Sequence, residues 1–457
     1  MPHLRQLWVS TVRQESVVRL GPPSGIGYGS AMNDLHKHLW ANPGLRGHLL
    51  AILSGVGLMV VGVSLLFSVV GLRAGEAGFS VLVTGLIGSA YFAGYIAGVY
   101  ICPVLIGRVG HIRAFAAMAS LASSMPILHA LWVNPWFWGV LRLLTGLCLV
   151  GLYIVIESWL NTLAPKKARG KVFSTYLFVS FGSLALGQWL ILTNSANHFL
   201  PFALVSVLLS FALLPITLAP VQQPELVEAP RIHLPSLWQA SPLGVSGAAV
   251  SGLVGGAFFG MGAVFGARMG LDEAGVAAFM AATISGGALF QWPVGHFSDR
   301  MDRRVVLLVM LSAAMVLGTL IWGLSLSQAW ALSVIGLPLG GALFAIYGLS
   351  VAHANDMVDA SRTMEVTSGL LLVHGAGAAV GPTLAGAFMN QVGPGGLMVY
   401  FALVCAALAL HAVVRVRQVP PAPPEQKADY VPLGSGTEAT LQLSPHAPDP
   451  GPVVNQP

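Results

Sequence analysis

The chain has 457 residues, of which 55% are hydrophobic and only 9% charged, with 54 glycines and a mean hydropathy of +0.76. That balance excludes a soluble globular fold of this length and points to a bilayer. A net charge of +5 and a pI near 9.2 do not signal nucleic acid, because the basic residues fall in short clusters between apolar runs rather than along one stripe.

Residues 1–48 come first, with Arg5, Arg13 and Arg19 interrupting every apolar run, so they lack a signal-peptide core and are expected to form a cytoplasmic N-terminal arm. Twelve apolar runs follow, each close to the roughly 20 residues that cross a hydrocarbon core about 30 Å thick. The first six lie near Leu49–Leu72, Val81–Ile106, Ala114–Val133, Phe137–Leu160, Val172–Leu192 and Phe199–Leu218. The second six lie near Leu243–Gly266, Gly275–Val294, Val305–Leu326, Trp330–Val351, Val366–Met389 and Leu397–Val414. Continuous apolar character without two-residue alternation predicts helices, not a barrel. The expected fold is therefore an all-α polytopic membrane protein of twelve transmembrane helices in two six-helix halves, 49–219 and 243–415. A polar, proline-bearing linker over 220–242 divides them, and the Pro-, Ser- and Thr-rich tail over 416–457 is expected to be disordered.

Basic residues set the orientation. The arm, the alternate loops (Arg108 and Arg113; Lys166, Lys167, Arg169 and Lys171; Arg231; Arg300, Arg303 and Arg304; Arg362) and the tail (Arg415, Arg417, Lys427) carry nearly all of them, while the opposite loops offer only Arg73 and Arg268. By the positive-inside rule both termini are expected in the cytoplasm of a multi-pass protein of the plasma (inner) membrane. Cys102, Cys148 and Cys405 each sit inside an apolar run and read as small buried hydrophobes; no metal or cofactor site is expected.

Sliding the chain on itself reveals a repeat. One ungapped register pairs Gly146 with Gly340, Tyr153 with Tyr347, Asn161 with Asn355 and Gly187 with Gly381, which makes the fourth and fifth spans equivalent to the tenth and eleventh. Parallel halves of this kind place a substrate site near the midplane between them.

Between the eighth and ninth spans lies Gly295-x-x-x-Asp299-Arg300-x-Asp302-Arg303-Arg304, five charges in six positions. It resembles the loop motif of the major facilitator superfamily, with Asp302 where that motif has glycine; the first-half copy keeps Arg108 and Gly110 but has Pro103 and Gly107 in place of its leading glycine and its aspartate. Arg142-Leu-Leu-Thr-Gly146 resembles the fourth-helix arginine motif that the resemblance links to proton coupling. Gly377-Ala-Ala-Val-Gly381-Pro382 resembles the antiporter glycine-proline motif, displaced here from the fifth span, where Gln188 replaces the proline, to the eleventh. Ile156-Glu157-Ser-Trp-Leu-Asn161, Arg169-Gly-Lys-Val-Phe and Ala352-His353-Ala-Asn355-Asp356 are similar to the YcaD-like branch of the superfamily, which implies the fold and a class of activity without a cargo.

Several polar groups inside the spans need a reason. Arg142 either snorkels to the outer interface or, lying deeper than the interfacial Trp136 and Trp138, is a coupling candidate. Glu157, about 22 Å further along the same helix, is expected to meet Arg108, Arg113 or Arg169 as a gate residue, a protonatable site or a structural pair. His374 is either a proton-coupling group or a packed hydrogen-bonding one. His353 and Asp356 read as solvated or as parts of a gate. Tyr91, Tyr95, Tyr153, Ser180, Ser183, Gln188, Gln291, Tyr347 and His374 form a candidate substrate-cavity set. The expected gate has Asp299 and Asp302, with Arg300 and Arg303, against Arg169 and Lys171, and Arg108 and Arg113 against Glu365.

No phosphate loop is present, since the one Gly-Lys pair, Gly170-Lys171, precedes Val172, and no His-Glu-x-x-His or Gly-x-Ser-x-Gly stretch suggests an enzyme. The reading is a monomeric secondary transporter of a small organic solute, working by alternating access with protons as the expected coupling ion and export as one direction. A uniporter, or a transporter-shaped sensor or assembly protein, are the alternatives.

Overall fold

The computed structural model describes residues 43–164, 169–194, 198–218, 234–359, 362–418, 427 and 430. Among them twelve helices are long and apolar enough to cross a membrane, and no strand occurs. The first half is α1 (Pro43–Glu76), α2 (Val81–Val109), α3 (His111–Leu131), α4 (Pro135–Leu163), α5 (Arg169–Trp189, ending in a 3₁₀ turn over Leu190–Thr193) and α6 (Leu200–Leu218). The second half is α7 (Pro242–Arg268), α8 (Glu273–Leu289 continued by Gln291–Arg300), α9 (Arg303–Gly323), α10 (Ala329–Asn355), α11 (Thr363–Val392) and α12 (Gly396–Gln418). Twelve crossings return the chain to the face from which α1 starts; we call it the terminal face and its opposite the far face.

Local chemistry sets the helix ends. Asn134 caps α4 by accepting hydrogen bonds from the Trp136 and Phe137 amides, with Pro135 at the first helical position, where its missing N–H costs nothing. Asp272 caps α8 through the Gly275 amide, and Asp302 caps α9 through the Arg304 amide. The break in α8 at Phe290 follows from Pro293, which has no N–H to give the Leu289 carbonyl one turn back. Gln291 thereby opens the second segment at mid-helix.

The repeat is visible in the packing. At Gly146 α4 touches α2 so closely that a Cβ would fall on the Tyr91 carbonyl, and at Gly340 α10 touches α8 so that a Cβ would fall on the Thr283 carbonyl. Gly187 of α5 lies against Val61 and Ser64 of α1, and Gly381 of α11 against Leu253 of α7. Small residues let helices approach where lipid supplies no hydrophobic drive between them.

The halves meet through α2 with α11, α5 with α8 and α2 with α7. Near the far face, Pro382 lies against Gly85, Gly88 and Gly260, Ser89 Oγ and Thr383 Oγ1 are 2.7 Å apart, and Val264 would meet any Cβ on Gly71.

Three segment expectations are adjusted where the structure describes them. The helix starts at Pro43, not Leu49, because proline suits a first turn; the rest of the arm, residues 1–42, lies outside the described residues. Within the linker, Leu234–Ala240 is helical, while 219–233 lies outside the described residues. Of the tail, α12 continues to Gln418, and Lys427 and Tyr430 are placed against the turn between α8 and α9; the other tail residues lie outside the described set.

Candidate functional site

Two adjoining lobes of a cavity, of about 130 and 140 Å³, lie between the halves. Phe92, Tyr153, Leu184, Phe259, His374 and Ala378 border both. Tyr91, Tyr95 and Ser368 belong to the first lobe; Tyr176, Ser180, Ser251, Gln291 and Tyr347 belong to the second. The residues bordering the lobes include no Asp, Glu, Lys or Arg. Toward the far face the cavity is roofed by rings from both halves, with the Phe67 and Phe259 centroids 5.5 Å apart.

Seven of the nine cavity candidates are thus brought together: Tyr91, Tyr95, Tyr153, Ser180, Gln291, Tyr347 and His374. Ser183 and Gln188 are not. Ser183 faces Gly57 of α1, and Gln188 is fully buried between α5 and α1, where its amide donates to Ser64 Oγ at 2.7 Å and its carbonyl accepts from Ser68 at 2.6 Å. They share a helix with Ser180, but their positions put them on the face toward α1. Tyr176, Ser251 and Ser368 complete the walls. Sequence reading passed over them because short hydroxyls and a tyrosine near a helix start ordinarily bond within their own surroundings.

Charged groups stand one layer behind the walls. Arg142 is 2% exposed, so it does not snorkel; its guanidinium carbon sits 4.7 Å from the Tyr91 ring centroid and 5.0 Å from that of Phe67, and Nε has no hydrogen-bond partner among the described residues. Glu157 is fully buried and accepts a hydrogen bond of 2.8 Å from the Tyr176 hydroxyl. His374 Nδ1 is 2.7 Å from Ser251 Oγ, and its ring centroid lies 4.7 Å from that of Tyr347.

At the terminal face the charged loop is satisfied inside its own half. Arg303 is 2% exposed and binds Asp356 through Nε at 2.6 Å, Ser298 at 3.0 Å and Asp299 at 3.2 Å. Asp356 and His353 are therefore buried, not solvated: folding α10 beside α9 gives Asp356 a guanidinium that a sequence-separated reading did not pair with it. Arg304 forks onto Asp302, at 2.7 Å for its shortest contact. Burial alone would raise the Asp302 carboxyl, but hydrogen bonds from the Arg304 side chain and amide, with that arginine's charge, outweigh it and hold Asp302 below the usual carboxylate range. Glu365 pairs with Arg362 of its own helix start, at 3.3 Å, and Arg108, Arg113 and Arg300 are exposed. Asp299 and Asp302 thus bond to neighbours in the second half in this conformation; the expected latch to Arg169 and Lys171 is one that breaks when the terminal face opens. Nearby partners meet a carboxylate's needs without ordering a second domain.

Tyr430 is the unexpected member of this network. Its amide donates to Asp299 Oδ1 at 2.9 Å, its hydroxyl donates to Gln291 Oε1 at 2.6 Å, and its ring fills a groove made by Gly295 of α8 and Gly348 of α10. Burial pushes its phenol above the ordinary value. Lys427 Nζ donates to the Met301 carbonyl at 2.7 Å. No cluster of His, Cys, Asp or Glu suited to a metal occurs among the described residues.

The family model described as Major Facilitator Superfamily matches residues 50–349 and 245–444. The chain is 26% identical over 374 residues to a Salmonella typhi protein named uncharacterized MFS-type transporter YcaD, covering 81% of this chain and 97% of that one. Among solved structures it resembles the nucleoside transporter NupG (TM-score 0.65, 14% identity, 81% of this chain and 98% of that one). It also resembles a bacterial homolog of the human lysosomal transporter Spinster in an inward-facing, occupied conformation (TM-score 0.62, 16% identity, 83% and 97%).

Proposed function

Since the chain belongs to the major facilitator superfamily and is a membrane transporter of that fold, we propose that it is a secondary transporter moving a small organic solute across the plasma (inner) membrane by alternating access. The observation that carries this reading is the solute-sized cavity between two repeat-related halves, roofed on one side by rings and by the Pro382 contacts. The distribution of basic residues supports a cytoplasmic terminal face with both chain ends there, so the conformation is inward-facing. Protons are the proposed coupling ion. Glu157 and His374, two titratable groups at the cavity's margin, support it, and Arg142 is the third coupling candidate.

Export is one proposed direction, to be read from the sign of net flux, because importers and exporters alike pass through an inward-facing state. The test is flux in vesicles reconstituted with the purified full-length chain, using solutes first selected by thermal stabilisation from a metabolite and drug library. Flux is expected to follow an imposed pH gradient and to collapse with a protonophore. Flux indifferent to the gradient would identify a uniporter, and solutes that bind but never cross would return the protein to a sensing role.

A further inference from the structure

We infer that the cavity takes an uncharged solute of one or two aromatic rings carrying hydroxyl, amide or similar groups on its edges; the inference names the cargo class of the transport reading and rests on it. The first ground is charge. Asp, Glu, Lys and Arg are absent from both lobes, His374 on the shared wall is engaged with Ser251, and each nearby fixed charge is set one ring back: Arg142 behind Tyr91 and Phe67, Glu157 behind the Tyr176 hydroxyl. An ionic solute would give up its hydration to a wall that offers no counter-charge. The second ground is size. Lobes of about 130 and 140 Å³ each approach the ~150 Å³ of an apolar cavity that holds one benzene ring. Their shared wall is largely aromatic, suited to stacked or edge-on rings.

The third ground is hydrogen bonding. Four buried hydroxyls of lining residues have no hydrogen-bond partner among the described residues, two in each lobe: Tyr95 and Ser368 in the first, Ser180 and Tyr347 in the second. Tyr347 is 5% exposed and Ser368 1%. Buried hydroxyls are ordinarily paired, so four unpaired ones just beneath the wall, within a side-chain rotation of it, favour a ligand with matching polar edges over a plain hydrocarbon.

The experiment uses charge-matched probes on the full-length protein. Benzamide, benzoate and phenyltrimethylammonium form one series, and the corresponding naphthalene compounds form a second. Melting shifts and uptake into vesicles are measured for each. The amides are expected to raise the melting temperature by several degrees, the carboxylates and ammonium ions by less than one. Tyr347→Phe, which keeps the ring and removes the hydroxyl, should weaken amide binding several-fold, and Tyr347→Phe with Ser368→Ala at least ten-fold. A charged member bound as well as its amide, or no amide bound at all, overturns the neutral class. Amides bound but not carried uphold the class and count against transport, so the two readings fail separately.

A second, independent observation concerns the tail. We propose that Tyr430 is a brake on closure of the terminal face. It ties Asp299 and Gln291 to the tail and wedges between α8 and α10, and α8 is the helix through which the second half meets α5. Thr84, 3% exposed and bordering the vestibule at the far face, reports that face's opening once replaced by cysteine. In a Thr84→Cys background, Tyr430→Ala is expected to speed labelling by an impermeant maleimide several-fold, with Tyr430→Phe in between; truncation after Gln418 should match Tyr430→Ala. Unchanged labelling in the truncated and Ala forms overturns the brake.

Discussion

Arg142 is a cation held by rings alone among its described contacts, and magnitudes say what that costs. Two desolvated cation–π contacts, at about 2 kcal/mol each, roughly offset the 2.5–3.5 kcal/mol that arginine costs in mid-membrane. Arg142→Met should therefore leave the melting temperature of the purified protein within a few degrees while cutting solute flux at least ten-fold; a large loss of stability alongside the flux would mark the arginine as structural. Asp302 supplies the pH prediction. Its folded pKa lies below the unfolded value, so its contribution is present above about pH 4 and is lost as pH falls through the folded pKa. Melting scans from pH 7 to pH 3 should show a smaller acid loss in Asp302→Asn than in the parent. At pH 7 asparagine keeps the cap, and the substitution should cost about 1 kcal/mol or less through the lost ion pair with Arg304.

At the scale of helices, Gln188 and Gly340 separate polar glue from close approach. Gln188 joins α5 to α1 by bonds to Ser64 and Ser68, each worth about 0.6 kcal/mol on average in a membrane protein. Gln188→Leu should lower thermal stability by about 2 kcal/mol or less and leave flux per folded molecule within two-fold, checked by pairing melts with vesicle assays. Gly340→Ala is harsher. Its Cβ meets the Thr283 carbonyl, a backbone atom that cannot swing aside, so α10 must leave α8 and a loss above about 3 kcal/mol is expected, read as a failure to elute as a single species. The spans themselves were legible in sequence because twenty apolar residues have one stable form in hydrocarbon. Which face of α5 looks at the cavity was not. Ser180 and Ser183 lie three residues apart, yet one borders the cavity and the other meets Gly57, since the rotation of a helix is set by its neighbours.

For the molecule as a whole, the far-face seal around Pro382 is the feature that alternation must undo. A Cβ on Gly88 would sit 3.2 Å from Pro382 Cβ and 3.4 Å from Gly260 Cα, so Gly88→Val should wedge the halves apart. Labelling of Thr84→Cys should rise about ten-fold in that variant, against a background of three buried native cysteines; unaltered labelling would show that the seal lies elsewhere. The displaced glycine-proline motif of α11 acquires a place here, since Pro382 needs glycines opposite it and finds them on α2 and α7. Sequence by itself determined twelve helices, two parallel halves and the side that holds the positive charge, because these depend on composition, length and period along one chain. Tertiary structure alone decided that Asp299 and Asp302 bond within their own half, that Asp356 meets Arg303, that Gln188 is glue and that Tyr430 reaches Gln291. Each of those is a choice among several partners of suitable charge or polarity, and only the geometry of packed helices selects one.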